Sequence, residues 1–113
     1  MAPEILERCP FDPQKSDIFS LGVCLYIMLT GCFPFKEAKI SDKSFRRLTG
    51  IDPMTFWVKK KKSKCSISKE VKELITMMLS PDPLKRISLA EIKRHPWIYQ
   101  TERLVEISRT IFI

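Results

Sequence analysis

The stretch SDIFSLGVCLYIMLTGCFPF, residues 16–35, decides the fold because its central residues are apolar on every side. Asp17 opens the run, Gly31 supplies a stop signal, and a proline soon after it prevents a helix from continuing. The predicted helix has about 14 residues and spans ~21 Å, whereas a bilayer core requires about 20 apolar residues and ~30 Å. We therefore expect a helix at the centre of a globule, with Cys24 filling space in the core.

The composition describes one globular domain with a single basic segment. The chain has 113 residues and a formal net charge of +7, and 44% of its residues are hydrophobic. Most of the excess positive charge comes from the lysines at positions 59, 60, 61, 62 and 64. A lysine run can bind nucleic acid, but no aromatic residues alternate with this one to stack on bases. We therefore expect a solvated connector, and nucleic-acid binding through Lys59 to Lys64 is the weaker alternative.

Cysteine spacing and the N-terminal residues bear on metal binding and compartment. The cysteines at positions 9, 24, 32 and 65 form no C-x-x-C pair, and the single histidine, His95, is distant from them in sequence. This pattern predicts free thiols and no metal site. Residues 1–15 contain no apolar segment long enough for a signal peptide. We expect a cytoplasmic protein without membrane association, with the nucleus as the alternative.

The rest of the chain is also helical in pattern. No stretch alternates in the way that predicts a strand, so the expected fold class is all-α. Residues 5–16 contain two prolines and are predicted to be a loop. Ser41 or Asp42 is suited to cap a short helix. Phe56 and Trp57 are expected to be exposed in the loop that follows, and the alternative is a satellite hydrophobic cluster under that loop.

Two further helices are predicted before the C-terminal tail. The first begins after Ser68, a favourable N-cap, and the second begins with the capping box Ser88-x-x-Glu91. The second ends near His95 because the next residue is proline. Residues 101–113 are predicted to form a helix. The first helix carries one apolar face at i, i+3, i+4, i+7 and i+8: Val71, Leu74, Ile75, Met78 and Leu79.

Five motifs, taken in order and spacing, resemble those of the protein kinase family. Ala2-Pro3-Glu4 resembles the A-P-E motif that closes the kinase activation segment. The segment 17–23 is similar to D-x-W-S-x-G-V, with phenylalanine where tryptophan is usual, and the segment 29–35 resembles L-T-G-x-x-P-F. The segments 82–86 and 95–97 are similar to D-P-x-x-R and H-P-W. Together they cover residues 2–98.

The resemblance implies a fold, a domain division and a subtype. Residues 1–98 would be the helical part of the kinase large lobe, the C-lobe, from A-P-E onward, and residues 99–113 a C-terminal extension. The L-T-G-x-x-P-F and H-P-W-I segments resemble those of serine/threonine kinases of the calmodulin-dependent type. The apolar helix would be the hydrophobic helix through the middle of that lobe.

The resemblance also implies roles for individual residues. Glu4 would pair with Arg86 in a bidentate ion pair, where the residues alone would suggest two unrelated surface charges. Asp17 would accept hydrogen bonds from backbone N–H groups of the kinase catalytic loop, and the alternative is a plain helix N-cap. The region 42–50 would lie where kinases dock protein substrates or regulators, with these candidate contacts: Phe45, Arg46, Arg47 and Leu48.

The motifs that perform phosphoryl transfer are absent from the sequence. The glycines, at positions 22, 31 and 50, form no G-x-G, and neither H-R-D nor D-F-G occurs. In kinases these motifs precede A-P-E, so we expect Met1 to be an internal methionine. We predict no catalytic, cofactor or metal site in this chain, which should be inactive alone.

The missing motifs leave two hypotheses for function. In the first, the parent protein is a serine/threonine kinase that uses ATP and Mg to phosphorylate proteins, and its remaining segments cover the central helix. In the second, the chain is a non-catalytic, kinase-like module that binds a protein partner.

Overall fold

The computed structural model describes residues 2–6, 12–50, 53, 56–57 and 67–99, and no strand occurs among them. The prediction of an all-α fold, the helical C-lobe portion of a kinase, is therefore confirmed for the described residues. Residues 96–99 add a further helical turn. The numbered helices are α1 (Pro3–Leu6), α2 (Pro13–Thr30), α3 (Lys43–Leu48), α4 (Lys69–Met78) and α5 (Leu89–Arg94).

The central helix α2 begins four residues earlier than predicted. Asp12 is its N-cap, with Oδ1 accepting a hydrogen bond of 2.9 Å from the N–H of Gln14, and Pro13 occupies the first helical position. Proline favours that position because its fixed φ suits a helix and its missing N–H would have no partner there. The prediction of a loop over residues 5–16 is thus wrong where α2 begins and where α1 ends.

The C-terminus of α2 follows the predicted stop. Gly31 adopts φ 74°, a left-handed conformation, and its N–H donates a 2.8 Å hydrogen bond to the carbonyl of Ile27. Glycine takes this conformation without the steric cost that a Cβ brings.

The face of α2 that carries Gly22 packs closely against α4. A Cβ added at Gly22 would lie 2.9 Å from Cβ of Met78 and 3.2 Å from Cδ2 of Leu79. Because Cβ of Met78 is fixed to its own backbone, the two helices would have to move apart to accept any larger residue. The glycine therefore sets the separation of α2 and α4.

The amphipathic pattern of α4 is confirmed. Ser68 caps the helix, and the predicted apolar face is buried. This face meets α2 and contributes to two neighbouring apolar clusters. The larger cluster includes Phe19, Tyr26, Val71, Ile75, Leu79, Phe45, Leu48, Phe56 and Trp57. The smaller cluster comprises Ile18, Leu74, Met78, Ile87 and Ile92.

Phe56 and Trp57 are buried, so the prediction that they are exposed is wrong. The Trp57 ring lies 5.4 Å from that of Tyr26 and 5.5 Å from that of Phe56, measured between centroids. The indole Nε1 donates a 2.7 Å hydrogen bond to Oγ1 of Thr76. A buried tryptophan needs such an acceptor, and a threonine on the polar flank of α4 supplies it.

One face of α2 is open to solvent. Asp17, Leu21, Cys24 and Met28 are all exposed, and their spacing of four, three and four residues puts them on one side of the helix. We call these four residues the open stripe. The prediction that Cys24 fills space in the core is wrong, because α4 and its neighbours cover only the opposite side. Within the described residues, no helix has the length and hydropathy needed to cross a bilayer.

The predicted capping box of α5 is present. Ser88 Oγ accepts from the N–H of Glu91, and the Glu91 carboxylate accepts from the N–H of Ser88. His95 ends the helix in an extended conformation, and its Nδ1 accepts a 3.2 Å hydrogen bond from the N–H of Trp97. The predicted helix over 101–113 and the lysine run at 59–64 lie outside the described residues.

We expect Gly22→Ala to destabilise the chain. The added Cβ overpacks the α2–α4 contact at a cost of about 1–3 kcal/mol, which exceeds the gain of about 1 kcal/mol in helix propensity. Urea denaturation followed by circular dichroism measures the free energy of unfolding. Ser20→Ala is the control, because Ser20 is exposed on the same helix. Equal or greater stability for Gly22→Ala would contradict the close approach.

Candidate functional site

The structure brings Glu4 of α1 and Arg86 of the turn before α5 into contact. Arg86 Nη1 donates to Glu4 Oε2 at 2.7 Å, and Nη2 donates to Oε1 at 3.0 Å. Glu4 is 5% exposed and Arg86 is 2% exposed. The pair is therefore bidentate and buried, not two unrelated surface charges, and its geometry matches the planar fork of a guanidinium.

The remaining N–H groups of Arg86 bond to backbone carbonyls. Nε donates to the carbonyl of Ser80 at 3.0 Å, Nη1 also donates to that of Lys15 at 2.8 Å, and Nη2 approaches that of Pro81 at 3.5 Å. The guanidinium also lies 4.9 Å from the centre of the Phe19 ring, within cation–π range. All five N–H donors of the side chain are thus occupied, which a buried charge requires.

Local sequence explains why these segments meet. Asp82 makes the turn after α4: its Oδ1 accepts from the N–H of Leu84 at 2.9 Å, and its carbonyl accepts from the N–H of Arg86 at 3.0 Å. From the other side, the Ser16 hydroxyl donates to Glu4 Oε2 at 3.0 Å, and Lys15 Nζ donates to the Arg86 carbonyl at 2.7 Å. The ion pair therefore links α1, the start of α2 and the turn before α5.

The surroundings of Glu4 keep it ionised. Burial acts to raise the pKa of its carboxyl, but hydrogen bonds from Arg86, from a backbone N–H and from Ser16, with the charge of Arg86, outweigh burial. The pKa therefore lies below its ordinary value, and the carboxylate is charged at neutral pH.

Asp17 does not cap a helix, so that alternative is wrong. It lies in the second turn of α2, and its exposed carboxylate accepts no hydrogen bond from the part of the chain that the structure describes. It occupies one end of the open stripe. The role implied by the resemblance, accepting bonds from a catalytic loop, requires residues beyond those described and stays a prediction.

The four docking candidates divide into two groups. Phe45 and Leu48 are buried in the larger apolar cluster and anchor α3 to the core, so neither is free to contact a partner. Arg46 is exposed and Arg47 is half-buried. Any docking on α3 must therefore use its arginines and neighbouring surface residues.

Asp42 is a structural residue whose role the sequence shows only in part. Its Oδ1 accepts from the N–H groups of Ser44 and Phe45, as the predicted N-cap should. Its Oδ2 also accepts hydrogen bonds from the backbone N–H groups of Lys36 and Glu37, at 2.7 and 3.2 Å. These bonds fasten the preceding loop to α3. Burial acts to raise the pKa of Asp42, but these four backbone bonds outweigh burial and lower it.

The contributions of Lys15, Ser16 and Phe19 around the ion pair were not predicted. The role of Ser16 could be predicted only if the start of α2 at Pro13 were known, because that start places Ser16 in the first turn, beside Glu4 of α1. Within the described ranges, no three His, Cys, Asp or Glu residues are grouped to hold a metal ion. The arrangement joins α1, the start of α2 and the turn before α5.

Comparison with known families assigns the fold. A family model described as "Protein kinase domain" matches residues 1–98. The chain belongs to the protein kinase family. Glu4 and Arg86 lie near opposite ends of this kinase segment, so their contact closes the matched region on itself.

Curated relatives are serine/threonine-protein kinases. The kinase segment is 38% identical over 97 residues to CBL-interacting serine/threonine-protein kinase 17 of Arabidopsis thaliana, covering 86% of this chain and 20% of that protein. It is 34% identical over 100 residues to testis-specific serine/threonine-protein kinase 3 of Homo sapiens, covering 88% of this chain and 34% of that protein. With SAPK4 of Oryza sativa subsp. japonica, identity is 33% over 117 residues, covering 99% of this chain and 31% of that protein. The chain thus spans a fifth to a third of these relatives.

We expect Arg86→Lys to unfold the kinase segment or destabilise it strongly. Lysine keeps the charge but has no planar fork, so carbonyls and one carboxylate oxygen lose their donors. Each hydrogen bond lost to a charged group costs about 1.5–3 kcal/mol, so we expect a loss of several kcal/mol although the charge is retained. Urea denaturation measures the loss, and Lys85→Gln is the control because Lys85 is the exposed neighbouring cation. A change below 1 kcal/mol, as is typical of surface pairs, would show that the pair contributes little.

The lowered pKa of Glu4 predicts an acid-dependent stability. The ionised form stabilises the fold above the unfolded pKa of about 4.3, and this contribution disappears as the pH falls through the lower folded pKa. Glu4→Gln should therefore be less stable at pH 7 and should lose less stability than the wild type on acidification. The measurement is the free energy of unfolding from neutral to acidic pH. Parallel pH dependences for Glu4→Gln and the wild type would contradict the lowered pKa of Glu4.

Proposed function

We propose that the chain is part of a serine/threonine protein kinase that transfers the γ-phosphoryl group of MgATP to protein hydroxyl groups. Membership of the kinase family and the names of the relatives support this proposal. The order of the motifs supports a position in the C-lobe from A-P-E onward, over residues 1–98.

The observation that carries the proposal is the open stripe of α2. Met28 is 73% exposed and Leu21 is 49% exposed on a helix whose opposite face is fully packed. Asp17 lies on the same stripe with a carboxylate that has no partner among the described residues. An apolar surface with an adjacent free acceptor suits contact with a further polypeptide segment that brings backbone N–H donors. Kinase segments other than these would supply that contact.

This chain does not itself contain the groups for phosphoryl transfer. The chemistry needs a phosphate-binding loop and carboxylates that hold Mg²⁺, and neither donor set is found in its described residues or motifs. We therefore propose that other segments of the parent hold MgATP, and we assign no step of the transfer to this chain. The chain alone should be inactive.

Finer features of the parent follow from the same resemblance. On the L-T-G-x-x-P-F and H-P-W-I segments we propose that the parent is of the calmodulin-dependent type, and we propose that it is cytoplasmic. Protein substrates and regulators would dock near α3, through Arg46 and Arg47. The alternative remains a kinase-like module that binds a protein without catalysis.

The native protein tests the proposal directly. We expect an antibody against this chain to recover a protein much heavier than 13.2 kDa, with a glycine-rich loop, a strand lysine, H-R-D and D-F-G before Ala2. That protein should transfer phosphate from MgATP to a serine or threonine peptide. A native mass near 13.2 kDa would favour the non-catalytic module, and a longer protein without these motifs would indicate a pseudokinase.

The Cys24 thiol reports whether the open stripe is covered in the native protein. We expect iodoacetamide to modify Cys24 more than tenfold more slowly in the longer native protein than in the 113-residue chain, because buried thiols react slowly. Cys32, exposed beyond the C-cap of α2, is the internal control and should change little. Mass spectrometry separates the two sites. Equal rates for Cys24 in both proteins would show that nothing covers the stripe.

A further inference from the structure

A cavity beside α3 is lined by both aromatic and cationic side chains. Its volume is about 620 Å³. An adjoining hollow of about 310 Å³ continues along α3, and Lys43 lines both spaces, so they form one surface. We call this surface the α3 patch. Its lining residues are Phe33, Phe35, Lys36, Asp42, Lys43, Ser44, Arg46 and Arg47.

The charge of the α3 patch is positive and available. None of its cations pairs with a carboxylate within the part of the chain that the structure describes: Lys36, Lys43, Arg46 and Arg47. Asp42 is the one carboxylate of the lining, and its oxygens already accept four backbone N–H groups. Glu37 lies nearby but pairs with Lys39 at 3.6 Å. These cations are therefore available to pair with an anionic group of another molecule.

The apolar part of the α3 patch is exposed and lies above a packed aromatic cluster. Phe33 is 73% exposed at the cavity, and Ile40 in the same loop is 68% exposed. Beneath them Phe35 packs against the rings of Phe19 and Phe45, with centroid distances of 5.9 and 5.3 Å. Because Asp42 bonds to backbone N–H groups of both the loop and α3, it holds the two backbones in a fixed relation to each other. A fixed surface loses little conformational entropy when it binds.

We propose that the α3 patch binds an acidic peptide segment of a partner protein, in which carboxylates flank an aromatic or branched aliphatic side chain. The apolar side chain would enter the cavity beside Phe33, and the carboxylates would meet Lys43 and the two arginines. Charge complementarity selects the acidic segment, and arginine binds carboxylates in bidentate fashion. Surfaces for single-stranded nucleic acid stack successive bases on several aromatic rings, whereas Phe33 is the one exposed aromatic ring of this lining, which favours a peptide.

This inference rests on the docking role proposed above for α3, and it names the chemistry of the docked partner. It does not depend on phosphoryl transfer, so binding is measured without ATP on the 113-residue chain. A failed kinase assay of the parent and a failed binding assay of this chain are therefore separate results.

The probe is a fluorescein-labelled peptide with a central phenylalanine flanked on each side by glutamates, titrated at low salt and followed by anisotropy. We expect saturable binding that weakens about tenfold when Arg46→Gln and Arg47→Gln are combined, since two charge contacts are lost. Phe33→Ser should weaken binding by a similar factor. Phe33 is exposed, so this second variant leaves the core intact.

A matched control comes from α5. Lys93 and Arg94 occupy the last turn of α5, just as Arg46 and Arg47 occupy the last turn of α3. Combining Lys93→Gln with Arg94→Gln removes the same charge from an equivalent helix position and should change affinity less than about twofold, a difference below 0.5 kcal/mol. Circular dichroism verifies that each variant keeps its helix content.

Several results would overturn the proposal. They are no binding of the acidic peptide, equal losses in the α3 and α5 variants, or equal affinity for a peptide with glutamine in place of glutamate. Tighter binding of single-stranded DNA or of anionic lipid vesicles that the arginine variant abolishes would assign the patch to a different class of ligand, and would likewise refute an acidic peptide as its partner.

Discussion

The contact between Glu4 and Arg86 is the constraint on which the described structure depends. Removing two charges from water costs several kcal/mol per ion, and only complete hydrogen bonding offsets that cost. Here the guanidinium uses every N–H, and Glu4 also accepts the hydroxyl of Ser16. The partners come from α1, from the first turn of α2 and from the turn after α4. Correct placement of each segment is thus a condition for the stability of the pair, which makes the contact specific as well as stabilising.

The central helix α2 has two faces with different tasks. On one face Gly22 brings α4 so close that no Cβ fits, and the apolar residues beside it fill two clusters. On the other face Leu21, Cys24 and Met28 meet solvent. A helix with apolar residues on every side is stable only where something packs on every side. The apolar residues of the open stripe therefore support the proposal that further polypeptide packs against this face of α2.

How much of this could be predicted depends on the range of the interaction. The apolar face of α4 and the capping box at Ser88 are confirmed because the helical repeat and the cap are each specified by residues a few positions apart in sequence. The errors concern positions where tertiary contacts decide. Pro13 was predicted to lie in a loop because proline is common in loops. Proline also suits the first position of a helix, and here the N-cap Asp12 makes Pro13 that position. The burial of Trp57 depends on a ring from α2 and a hydroxyl from α4, and the exposure of Cys24 depends on which side α4 covers. No local pattern contains that information.

Three carboxylates show how the same chemical group serves different purposes according to its surroundings. Glu4 neutralises a buried cation, and Asp42 satisfies backbone N–H groups of two segments, so each is fully engaged within the fold. Asp17 has the same chemistry but no partner among the described residues, and it stands beside exposed apolar groups. An exposed carboxylate opposes the burial of its apolar neighbours unless hydrogen-bond donors replace its hydration. The proposed covering segment would therefore have to bring N–H donors to Asp17, so that the charge is buried together with Leu21 and Met28.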